Sequence, residues 1–171
     1  MKNIILFICF FCINASFAQE NNNCLFGFCL GSKPSEIKNI SIVQNQDQRA
    51  EKVKYMYFGK DHVSLLGIPI DYIMLEFTKN RLTNIHVNFK RKFTKEGIVQ
   101  SDFDKIKTFG MITYGNDYTK RDVSKHPCTL DEAIWDVDKD VLLALFHNNC
   151  EEEISGQMTM YLVMYQCEII N

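Results

Sequence analysis

The sequence predicts an α+β fold made of two degenerate helix-plus-antiparallel-strand units, with short helices packed on a mainly antiparallel sheet. Three observations predict it. Polarity alternates with period two along "IDYIMLEFT" and "LTNIHVNFK", helix-start chemistry occurs at two separated places, and "IMLEFTKN" (73–80) is matched in character by "LLALFHNN" (142–149).

The N-terminus comes first because it decides what belongs to the folded body. Lys2 precedes the apolar run "IILFICFFCI", and Ser16 and Ala18 are the small residues of a cleavage site. This reads as a secretory signal peptide over 1–18, cut after Ala18. Its apolar run is about half of the ~20 residues a membrane-spanning helix needs. Cys12 follows "FF" and Cys24 follows "NNN", so neither sits in the setting of an acylated cysteine, and no lipid anchor or membrane span is expected. The expected product is periplasmic or secreted, a single domain over 19–171 with pseudo-repeats at about 24–92 and 93–171.

In "GSKPSEIKNI", Ser32 can cap a helix, Pro34 sits in the first turn, and Ile37 and Ile40 recur three apart, which predicts a short helix. The next clear elements are "IDYIMLEFT", with Ile73, Leu75 and Phe77 on one face, and "LTNIHVNFK", with Ile85, Val87 and Phe89 opposed to Asn84, His86 and Asn88. "KN" joins them, and Asn80 tolerates the left-handed backbone of a tight hairpin turn. A longer helix follows in "SDFDKIKTFGMITYG": Ser101 caps it, Phe103, Ile106 and Phe109 mark one face, and Gly115 ends it. Residues 116–131, polar and containing Pro127, read as a loop.

Asp136, Asp138 and Asp140 in "WDVDKDVLLALF" raise two readings. A calcium loop needs a glycine next and a bidentate Glu at its twelfth position, where this chain has Val141 and His147. The favoured reading is a turn between strands "EAIWDV" and "VLLALF". A last strand follows in "MTMYLVMYQC".

Of 171 residues, 19 are Lys or Arg and 21 Asp or Glu, a formal charge of −2 that does not support nucleic-acid binding. The cluster "KRKFTK" (90–95) reads as solvated surface. Cys9 and Cys12 leave with the leader, and Cys24, Cys29, Cys128, Cys150 and Cys167 remain in a disulfide-permissive compartment. That number is odd, so one stays free or pairs between chains. Cys24 and Cys29 are near enough for a local bridge, and Cys128 is a candidate to staple its loop to Cys150 or Cys167. A zinc site is disfavoured because neither Cys24 nor Cys29 has a histidine nearby.

Catalytic signals are weak. "HNNC" brings His147 near Cys150, but the following "EEE" disfavours a thiolate. No phosphate loop, nucleophile elbow or paired-histidine zinc motif is present. Glu76 and Asp136 could face one another across a cleft. His86, among asparagines, reads as part of a solvated strand face. The anomaly is apolar excess late in the chain: Met158, Met160, Leu162 and Met164 fill one face of the last strand, while Tyr161, Val163 and Tyr165 fill the other. Such a strand is either covered on both faces, by the first unit or the loop, or it presents one face to a partner. Tyr72, Met74, Tyr161, Met164 and Tyr165 are the candidate partner-binding residues.

"FGFCLGSKPSEI", "LLGIPI" and "MLEFTKNRLTNIHVNF", followed by "FGMITYG" and the second sheet, resemble small exported bacterial proteins of helix-plus-antiparallel-sheet units: the tandem-repeat β-lactamase inhibitor proteins and the outer-membrane assembly lipoproteins. That resemblance implies a protein that binds other proteins. The expected function is an exported non-enzymatic binding module of inhibitor, immunity or envelope-assembly type, docking a sheet face onto an envelope or secreted protein. No catalytic residue, cofactor or metal is assigned. The alternatives are a small envelope hydrolase using carboxylates and a carrier of a small apolar ligand.

Overall fold

Alternating side chains build one antiparallel sheet. The structure, a computed structural model, describes residues 23–43, 51–89, 100–120, 129–149 and 158–166. Its elements are β1 (Cys24–Leu25), β2 (Phe28–Cys29), a 3-10 turn (Pro34–Glu36), β3 (Ile40–Ile42), β4 (Lys52–Tyr57), β5 (Ser64–Leu65), β6 (Ile68–Thr78), β7 (Arg81–Phe89), α1 (Gln100–Tyr114), β8 (Tyr118–Thr119), β9 (Thr129–Asp138), β10 (Val141–Asn149) and β11 (Met158–Gln166). β1 and β2 pair with each other. The rest form a sheet in the order β3-β4-β6-β7-β11-β10-β9-β8, with β5 beside β6. The two halves meet at β7–β11, where Ile85 lies opposite Met164 and Val87 opposite Leu162.

The turns follow local chemistry. Lys79 and Asn80 take φ of 50° and 64°, the paired left-handed conformation of a two-residue turn whose twist matches its strands. The β6–β7 hairpin read from "KN" is therefore present, and so is the turn at Lys139 and Asp140, with Asp138 opposite Val141. The Asp138 carboxylate accepts a 2.7 Å hydrogen bond from the Lys139 backbone amide. Among the described residues no group of three His, Cys, Asp or Glu side chains is arranged to hold a metal ion.

One face of the sheet is dry. Its cross-strand rows run Tyr55, Leu75, Ile85, Met164, Leu143, Trp135 and Tyr57, Ile73, Val87, Leu162, Leu145, Ala133. From Leu75 and Ile73 onward, every member of both rows is at most 2% exposed. Two structures cover them. Over the first half lies the β1–β2 hairpin, closed by a Cys24–Cys29 disulfide with Cα atoms 4.0 Å apart, which buries Leu25, Phe28 and Leu30. It is held down by ladder-like bonds, Gly31 N–H to Leu82 O and Leu82 N–H to Ser32 O, both 2.8 Å. Over the second half lies α1, which packs on β9 and β10.

Among the described residues there is one α-helix, and the second helix expected for a repeat of helix-plus-strand units is not seen. "GSKPSEI" makes only a 3-10 turn; Lys33, not Ser32, precedes it, and its backbone amide donates to the Glu36 carboxylate at 2.9 Å. Ile37 is already extended, with φ −107° and ψ 124°. The half-buried Ile37 and Ile40 reach the core from extended backbone, so no helical turn is needed to bury them. The match between 73–80 and 142–149 also fails residue by residue. Phe77 is buried in the dry face, whereas Phe146 is one position out of step with the inward Leu143 and Leu145, on the other face. Cys128, Cys150 and Cys167 lie outside the described residues, as do residues 1–18, expected to form a leader, and the cluster 90–95.

α1 begins at Gln100, one residue before the expected cap, and ends at Gly115, whose φ is 103°. Its buried face is Phe103, Ile106 and Gly110; Phe109, expected there, is half-buried to one side. At 100° per residue Gly110 lies about 20° from the direction of Phe103, and Phe109 about 120°. Gly110 is required by a close approach: a Cβ there would stand 2.6 Å from the indole ring of Trp135. The same indole donates from Nε1 to the Gly115 carbonyl at 3.0 Å, satisfying one of the acceptors a helix end leaves open.

Gly110→Ala should therefore destabilise the protein by about 1–3 kcal/mol through overpacking, although alanine is the better helix former by about 1 kcal/mol. Urea unfolding followed by Trp135 fluorescence reads both the midpoint and the displaced ring.

Candidate functional site

The second face of the sheet is built by the residues that alternate with the core. Its middle row runs Ser41, Met56, Met74, His86, Val163, Ala144, Ile134, Thr119 across eight strands. The adjoining row runs Lys54, Glu76, Asn84, Tyr165, Leu142, Asp136. The register sets Tyr72 and Tyr161 on this face too, each opposite Asn88. Three of the five partner-binding candidates, Tyr72, Met74 and Tyr165, thus share one face; of Tyr161 only the backbone register is described.

Met164 does not. It is fully buried in the dry face, between Ile85 and Leu143, because alternation along β11 sends Met160, Leu162 and Met164 inward together. Tyr72 is 38% exposed, while Met74 and Tyr165 are half-buried. Further along, Ala144, Val163 and Ile134 are buried on this second face. Most of the apolar excess of the last strands is therefore covered.

The polar part of this face is ordered by charge. The Glu76 carboxylate accepts from the Asn84 side-chain amide at 3.0 Å and meets Lys54 Nζ at 3.7 Å. Beside it, burial holds the His86 imidazole below its ordinary value of 6.5, against the pull of Glu76 and with a smaller push from Lys54. Glu76 and Asp136 do not form a catalytic pair. They lie in one row but four strand spacings apart, about 19 Å, well beyond the roughly 5–9.5 Å over which two carboxyl groups share a scissile bond.

A second surface carried little sequence signal. Among the described residues the large hydrophobics most exposed are Ile112 (82%), Phe58 (66%), Val63 (62%) and Leu66 (54%). Phe58, Val63 and Leu66 belong to one excursion, 58–67, between β4 and β6. It is pinned from within: the His62 ring packs 5.4 Å from Phe26, 5.6 Å from Phe28 and 5.6 Å from Tyr57, and Tyr57 donates to the Asp61 carboxylate at 3.0 Å. His62 is a packing residue.

The tip of this excursion meets α1. Leu66 and the outward stripe of the helix, Ser101, Asp104, Lys105, Thr108, Phe109 and Ile112, line an open groove of about 610 Å³. Its charges are matched in place, Asp104 with Lys107 at 3.2 Å and Lys105 with Asp102 at 3.6 Å. Leu66 holds φ of 52° at the first position of its turn, where a bulky residue is disfavoured and Asn or Gly is usual. An exposed leucine in that backbone gains nothing for the fold. "LLGIP" offered the only sequence hint, a glycine after leucine where a turn would be expected to begin with a polar residue.

No protein-family model, curated protein or solved structure matches this chain.

Two outcomes follow from this geometry. Leu66→Asn should raise stability by about 1 kcal/mol, the scale of the left-handed penalty it relieves, measured as a shift in urea midpoint. For His86, the unfolded ring takes a proton near 6.5 while the folded protein resists it. The folded state is therefore penalised as pH falls below 6.5, until the folded ring itself is protonated. Wild type should lose stability on acidification over that window more than His86→Gln, read from midpoints at several pH values.

Proposed function

We propose that this protein is an exported, non-enzymatic binding module of inhibitor, immunity or envelope-assembly type, which docks an uncharged apolar segment of another envelope or secreted protein. The observation that supports this reading is the exposure of Ile112 and Leu66, which line one groove between α1 and the neighbouring excursion. Apolar side chains exposed together mark contact surfaces more often than isolated ones do. The local ion pairs of the groove leave little net charge to steer a charged partner, which favours an apolar one.

The outer sheet face is a second docking reading. Tyr72 is exposed there beside the half-buried Met74, and tyrosine and methionine suit contact surfaces. Met164 is withdrawn from it into the core. The two pseudo-repeats remain part of the proposal, with the disulfide-closed hairpin of the first unit standing where α1 stands in the second. A groove of this size could also take a small apolar ligand, which the same experiment separates.

The test is a photo-crosslinking amino acid placed at Ile112, and in parallel at Tyr72, in protein expressed in its own host. A discrete crosslinked protein from position 112, lost on Leu66→Asp, is the expected result. Crosslinks from position 72 alone would move the contact to the sheet. A fluorescent apolar probe bound in the groove, with no protein crosslink from either position, would replace the docking reading with a carrier.

A further inference from the structure

The middle row of the outer face sets two thioethers and an imidazole side by side. Met56 on β4 lies opposite Met74 on β6, and Met74 lies opposite His86 on β7. Neighbours along each strand, Tyr55 and Tyr57, Ile73 and Leu75, Ile85 and Val87, turn to the dry face, so the three donors project to the same side. Directly opposed residues hold Cβ atoms about 4.5–5.5 Å apart. The outer two strands are thus roughly 10 Å apart, a gap that a methionine and a histidine can close by leaning over the central Met74.

We propose that Met56, Met74 and His86 form a binding site for a single cuprous ion on the outer face of the sheet. Two thioethers with one imidazole are a soft, uncharged donor set, the kind that selects Cu(I) over zinc, magnesium or calcium. All three residues are half-buried, which partly shields the ion from water. The His86 imidazole stands at one end of the row as its one nitrogen donor. Within the described residues its ring nitrogens have no hydrogen-bond partner. Glu76, in the adjoining row, is close enough to act on His86 electrostatically. Its carboxylate is held by Asn84 and ion-paired with Lys54, so it is already partnered beside the three donors. Neither the docking groove nor the identity of a partner enters this proposal.

The experiment uses the intact chain with its free thiols alkylated, labelled with 13C at the methionine methyl groups and titrated anaerobically with Cu(I). One equivalent should shift the methyl signals of Met56 and Met74 together with the ring signals of His86, and leave the half-buried Met111 on α1 unmoved. Met74→Leu and His86→Gln change outward-facing side chains and should keep the fold, checked by their unlabelled spectra. Each should weaken Cu(I) binding at least about tenfold against a chromogenic Cu(I) chelator, the scale on which even outer partners of a metal matter. Binding that moves other methionine methyls, or that both variants retain at full strength, overturns the site. Tighter binding of Zn(II) than of Cu(I) overturns the choice of ion.

Discussion

The seam between β7 and β11 is the contact on which the rest of the molecule depends. It joins two runs of strands that are far apart in the chain, pairing Asn84 through Asn88 with Tyr165 through Tyr161. Without it, Ile85 and Val87 on one side and Leu162 and Met164 on the other would each end a sheet edge and expose both apolar side chains and unpaired amides. With it, the inward rows become continuous from Tyr55 to Trp135, and a single apolar layer is formed that a disulfide-closed hairpin and one helix together can cover. The seam also fixes the second face, because register is inherited across it: His86 comes to lie opposite Val163, and the Met56–Met74–His86 row continues into the buried patch of Val163 and Ala144.

Trp135 is the second constraint, and it works at two ends of α1. Its ring demands a residue without a side chain at Gly110, and its indole nitrogen closes the helix at Gly115. The helix is thereby held at one depth and one rotation, which decides what faces outward. Phe109 and Ile112 are turned towards Leu66 because Gly110, not Phe109, occupies the inward position. A core contact therefore sets the composition of an exposed groove, and the surface proposed to bind a partner follows from how closely one helix approaches one indole.

The two faces of the sheet divide the chemistry. The dry face holds the apolar core, and the opposite face holds the ionisable and polarisable groups: Lys54, Glu76, His86, Asn84, Asn88 and the methionines of β4 and β6. Glu76 is satisfied by its neighbours in the sheet rather than aimed at a substrate, and Asp136 is an exposed residue of β9 far across the same face.

Local sequence by itself determined the hairpin at Lys79 and Asn80, the turn at Lys139 and Asp140, the inward sets Ile73–Leu75–Phe77 and Ile85–Val87–Phe89, the stop at Gly115 and the Cys24–Cys29 bridge, because each depends on residues within a few positions of one another. Only the tertiary structure decided that Met164 is core, since β11 is apolar on two sides and the choice is made by which neighbour is paired across the seam. It likewise decided that "GSKPSEI" stays a 3-10 turn, because extended backbone buries Ile37 and Ile40 without further helix, and that Met56, Met74 and His86 stand in one row. No local pattern encodes that row; it exists because three strands share a register.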